Sequence, residues 1–187
     1  MRNQLFIVAS VWLLSASNVV AATLLTDENL TRFEALLPEL QKLEQRPQNK
    51  QFALQQHCDW PRHYRELSAQ EQDSSYQANI EQLVKQHGFT PVQFVELSAK
   101  ISWPVLDKVQ PMLQLSRQAL VFLPPQQRQD TEKTLQRGQQ YYRTLTGCLS
   151  KEDKTALAKH NNRIMQMAKR LGGIEQLLPP GMITPAT

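Results

Sequence analysis

Apolar residues in this chain recur at helical spacing in every long segment and nowhere alternate as a strand would, which excludes most sheet-containing folds. Thr26 can cap a first helix, with Asp27 and Glu28 in the turn where the helix dipole favours acids. Its apolar stripe reads Leu30, Phe33, Leu37, Leu40 and Leu43, and it keeps register across Pro38, so one kinked helix is expected. Arg46 to Ser68 is the least regular stretch, with Pro47, Pro61 and room for a short helix starting at Pro61. Asp73 or Ser74 opens the next helix, which turns Tyr76, Ile80, Leu83 and Val84 inward. Gly88 stands where a left-handed terminator belongs, and Phe89 is placed to touch Val84.

Thr90-Pro91-Val92-Gln93 supplies a cap, a proline at the first helical position and a partner for a capping box. Phe94, Leu97, Ile101, Val105, Val109 and Met112 then continue one stripe through Pro104, giving a bent helix from 91 to about 122. After Pro124-Pro125 a helix resumes at Gln126, with Leu135, Gly138, Tyr142 and Leu145 in line. Gly138 is expected to admit a neighbouring helix closely, and Gly147 to end this segment. Ser150, with Asp153 three residues on, starts a last long helix whose inner face is Leu157, Ile164, Ala168 and Leu171, stopped by Gly172-Gly173. The expectation is an all-α fold, a single compact domain of about five helices over residues 23–178, some of them proline-bent, with a mobile tail at 179–187.

The N-terminal residues read as a signal peptide. Arg2 precedes an apolar stretch from Leu5 to Ala16, and the small side chains of Val20 and Ala22 suit cleavage before Thr23. An uncleaved anchor would need about 20 consecutive apolar residues, which this run reaches only by counting Ser and Asn. The best later candidate for a span, Ala119 to Leu123, ends at Pro124-Pro125, so residues 1–22 are assigned to the leader and the remainder to an exported, soluble protein, periplasmic or secreted.

The formal charge of +4 is carried by residues interspersed along the chain, a solubility pattern; a nucleic-acid binder would gather its Lys and Arg on one face. Cys58 and Cys148 are the two cysteines of an exported chain, and an even count in an oxidising compartment points to one disulfide.

The densest constellation is Gln56-His57-Cys58-Asp59-Trp60-Pro61-Arg62-His63. Zinc would need Cys58, His57 and His63 plus a fourth ligand; adjacent His57 and Cys58 are an awkward pair, and no second cluster follows. A disulfide explains both cysteines, and no metal or other cofactor is expected. His57, Arg62 and His63 could form an anionic-ligand patch, but a solvated loop anchored by Trp60 is the plainer reading. His160 lies on the apolar face of the last helix, while Met165 and Met167 are read as pointing elsewhere, which argues against haem. His87 suits the C-terminal dipole of its helix. No nucleophile elbow, zincin motif, phosphate loop or calcium loop occurs, and Glu34, Glu39, Glu66 and Asp107 are scattered, so catalysis is not expected.

Two functions remain. One is a non-catalytic binding or accessory module whose partner is another envelope or secreted protein. The other is a small-ligand or metal-binding carrier or sensor, using a cavity near Trp103, Tyr142 and the bends at Pro104 and Pro111, or the His57/His63 loop.

Overall fold

The computed structural model describes residues 23–43, 58–70 and 74–170. The expected leader at 1–22, His57 with the stretch around Pro47, and everything after Arg170 (Leu171, the Gly172-Gly173 stop and the tail 179–187 included) lie outside them. Six α-helices occur among the described residues, with no strand: α1 (Asp27–Lys42), α2 (Trp60–Gln70), α3 (Ser74–Gln86), α4 (Pro91–Ala119), α5 (Pro125–Cys148) and α6 (Lys151–Arg170). A short 3-10 turn, Leu120–Phe122, joins α4 to α5. The all-α class holds, with six helices where about five were expected.

Local chemistry sets the helix ends. The Thr26 hydroxyl accepts from the Asn29 N–H and starts α1, which runs unbroken through Pro38. The Asp59 carboxylate accepts from the Arg62 N–H, so α2 begins at Trp60 and Pro61 is its second residue, one position later than expected. Gly88, at φ +77°, ends α3; its N–H bonds the Lys85 carbonyl and the Phe89 N–H bonds Val84, the paired bonds of a left-handed stop. The capping box of Thr90 and Gln93 opens α4. Ser150 and Asp153 exchange the equivalent bonds at α6. Gly147, by contrast, does not end α5, which continues through Cys148.

The main core joins α1, α3, α4 and α6 through Leu30, Phe33, Leu36, Val84, Leu97, Ile101, Leu157, Ile164 and Met167. Three sequence expectations change here. Leu36 is fully buried and Leu37 only partly, because both satisfy helical spacing and the neighbouring helices select the first. Met167 shares the inner face with His160, seven residues or two turns away, so it does not point elsewhere. Gly138 is buried, yet a Cβ built there would meet nothing within 4 Å, so no helix presses against it.

A second, smaller core gathers Trp60, Ala99, Leu106 and Leu145, with Trp103, Tyr141, Tyr142 and Cys148 against it. Beside it Cys58 and Cys148 stand at disulfide distance, with Cα atoms 5.3 Å apart across a sequence separation of 90. The pair ties the start of α2 to the end of α5.

Candidate functional site

Of the residues singled out from sequence, Trp60, Trp103 and Tyr142 come together in the smaller core. Trp60 is 8% exposed. The Trp103 indole N–H donates to Thr146 Oγ1 at 2.9 Å, the Tyr142 hydroxyl donates to Asp107 at 2.7 Å, and the two rings stack with centroids 6.3 Å apart. The bond to Asp107, aided by burial, raises the Tyr142 pKa above the usual phenol value. These contacts pin α4 to α5. Arg62 is committed to Glu66 one turn on, at 2.9 Å. His63 sets its ring edge against Trp60, centroids 6.2 Å apart. A thiolate ligand at Cys58 is consumed by the bond to Cys148. Among the described residues no three His, Cys, Asp or Glu side chains gather as a metal-ligand set.

The feature that stands out lies elsewhere, at the far end of the α4–α5 hairpin. α4 has 29 residues and is about 43 Å long, longer than its neighbours can cover. Its run of buried residues ends at Val109, and between 110 and 134 Leu120 is the one buried side chain. Met112, placed inward by helical spacing alone, is 58% exposed.

Four large apolar side chains are exposed among the described residues, namely Met112, Leu115, Val121 and Phe122, and all fall within this tip. Phe122 is 86% exposed. Such clustering distinguishes them from the scattered apolar residues that any surface carries.

The tip is held in shape. Leu120 tucks inward, and the Leu123 N–H bonds the Leu120 carbonyl at 3.1 Å to close the 3-10 turn. The Arg128 guanidinium donates to the carbonyls of Val121 and Leu123 at 3.1 and 3.2 Å, groups that would otherwise end the turn unsatisfied. Pro124 and Pro125 then set the chain directly into α5. Phe122 is thus presented outward from an ordered turn. Arg117 donates to Gln139 at 2.8 Å, across the hairpin.

The tip is also one-signed. From Lys108 to Gln129 the chain carries Lys108, Arg117 and Arg128 and no Asp or Glu. The acceptors that Arg117 and Arg128 engage are neutral, so their charge is not cancelled. Scanning for catalytic and ligand motifs missed this site; the legible signal was an acid-free segment whose apolar stripe outruns its partner helices.

No helix among the described residues is long and apolar enough to cross a membrane. The molecule is therefore an all-α protein with a cysteine cross-link and an armed hairpin. No protein-family description, curated protein or solved structure proved similar to the chain.

Proposed function

We propose that this protein is exported and acts as a non-catalytic binding or accessory module towards another envelope or secreted protein, gripping it with the α4–α5 tip. The observation that carries this reading is the confinement of every exposed large apolar residue of the described chain to positions 112–122. A partner suited to it offers an apolar cleft for Phe122 and Val121, rimmed by carboxylates that meet Arg117 and Arg128. Burying Phe122 with adjoining Val121 is the kind of compact anchor that dominates binding energy. The arginines would set approach rate and orientation. Export is supported by the leader-like N-terminus and by a cysteine pair that an oxidising compartment preserves.

The test is a photo-reactive side chain at position 122 of the exported protein, with a second at exposed Gln136 on α5 as the control. A discrete adduct to one protein from position 122, absent from 136 and lost with Arg117→Glu, is expected. An adduct indifferent to Arg117→Glu, or formed equally well from 136, removes the tip from the function.

A further inference from the structure

Asp153 at the start of α6 and Lys100 on α4 form a buried ion pair at 2.9 Å, with side chains 4% and 7% exposed. Glu96, one turn before Lys100 and 21% exposed, holds the same ammonium at 2.6 Å. Two carboxylates thus share one lysine in a site with little water. Among the described residues no other cation makes an ion pair with either acid. An uncompensated charge in such a place is costly unless a counter-charge arrives.

The first described residue stands on this cluster. The Thr23 hydroxyl donates to Asp153 Oδ1 at 2.7 Å and accepts from the Leu25 N–H at 3.2 Å. Leu25 is 1% exposed, and the Leu24 carbonyl accepts from the Asn29 side-chain amide at 2.8 Å, so the segment is tied down ahead of α1. Within one threonine, N and Oγ1 are three bonds apart, no more than about 3.8 Å, which places the Thr23 nitrogen within about 6.5 Å of the Asp153 carboxylate.

We propose that the Glu96–Lys100–Asp153 cluster is the receptor for the α-ammonium group created when the leader is cut off before Thr23, so that processing supplies the missing buried cation. This rests on the export reading. Hydrolysis adds water across the Ala22–Thr23 peptide bond; the departing leader keeps the carboxylate, and the Thr23 nitrogen leaves as an amine that takes up a proton near neutral pH. Before the cut that nitrogen is a neutral amide with one N–H. Afterwards it brings a full positive charge and three donors, for which the carboxylate oxygens of Asp153 and Glu96 are the acceptors. Asp153 from α6 is the acid bonded to Thr23, and through Lys100 it is joined to Glu96 on α4; Asp27 at the start of α1 is taken by Lys159 at 3.1 Å. Leader removal then stabilises the base of the molecule as well as releasing it.

The experiment uses the full chain, exported with its own leader and purified from the exported fraction. Intact mass identifies the first residue. The reactivity of the α-amine towards an acylating reagent is compared in the native protein and in urea. The same is done for Glu96→Gln and for a variant with one glycine inserted between Ala22 and Thr23. The expected results are a first residue of Thr23 and an amine about tenfold less reactive in the native state, equivalent to one unit of raised pKa. The inserted glycine is expected to lower Tm by about 3 °C, and less in Glu96→Gln, where the excess charge is gone. A chain absent from the exported fraction overturns the export reading, and one found there with residues 1–22 still attached overturns the receptor, since no α-amine is created at Thr23. A chain that starts at Thr23 but whose amine reacts equally in both states, or whose Tm ignores the glycine, overturns the receptor alone.

Discussion

The base of this molecule and its arm are made from the same helix, α4, yet they are held by different forces. In the base, Leu97 and Ile101 pack against α1, α3 and α6, and ion pairs cross the same boundaries. Thr23 meets Asp153, Asp27 meets Lys159, and Glu34 takes Arg163 at 3.0 Å as well as Arg170, so α1 and α6 run parallel, matched rung for rung. In the arm, past Val109, α4 pairs with the turn and α5, and among the described residues Leu120 and Leu135 are its buried side chains before Gly138. A region that stabilises the fold spends its apolar surface internally; the arm leaves its largest apolar groups in water. That difference assigns stability to one region and recognition to the other.

The contrast can be broken at several points. The largest effect is expected from replacing both cysteines by serine. Opening a loop of 90 residues should cost about 4.5 kcal/mol on the chain-entropy account, read from the urea midpoint under oxidising conditions. Because the cross-link joins α2 to the end of α5, beside the smaller core, most of that loss should appear as weaker protection of α2 and the lower half of α5 in hydrogen exchange.

Next is Lys100→Ala, which strands Asp153 and should cost about 3 kcal/mol at neutral pH. Burial works against charge at both groups, but the hydrogen bonds outweigh it. Glu96 and Asp153 hold Lys100 above the usual lysine value, while Lys100, Thr23 and the Ser150 N–H hold Asp153 below the usual carboxylate value. With a raised folded pKa, the Lys100 contribution is complete below pH 10.5 and disappears as pH climbs past it. With a depressed one, the Asp153 contribution is present above pH 3.8 and disappears as pH falls below it. Melting curves across pH should therefore show losses at both extremes in the native chain, and a flatter alkaline limb in Lys100→Ala.

The two glycines give a smaller and opposite pair of effects. Gly138→Ala on α5 should stabilise by up to about 1 kcal/mol, since alanine favours helix and its Cβ would meet nothing. Gly88→Ala in the base should destabilise by about 1–2 kcal/mol, because the backbone there is left-handed and the new Cβ would sit 2.6 Å from the Arg32 side chain. The smallest change in stability, within about 0.5 kcal/mol, is expected for Phe122→Ser, an exposed site. The same substitution should abolish partner capture through a photo-reactive group at neighbouring Val121. A melting shift comparable to that of a core residue would place Phe122 in the fold instead.

Much of the architecture was legible before any coordinate. The caps at Thr26, Thr90 and Ser150 and the stop at Gly88 are made by groups three to five residues apart, so the sequence contains both partners of each bond. The cysteine pairing was legible by number alone. The candidate site was not. His57, Arg62, His63, Trp103 and Tyr142 attracted attention because their residue types can do chemistry, whereas the tip is made of types that ordinarily signal a core. Nothing local told Met112 from Val109 on the same stripe.

Sequence alone thus determined that this chain is helical, where most helices begin and end, and which two sulfurs can meet, because each depends on near neighbours or simple counting. Tertiary structure decided which apolar side chains are covered, that Leu36 rather than Leu37 is the deeper, that Met167 lies inside and Phe122 outside, and that Lys100 finds Asp153. Helical spacing fixes the angle of a side chain around its axis. Whether another helix covers that height along the axis is a property of the packed molecule, and past Val109 the turn and α5 leave Met112 and Leu115 exposed.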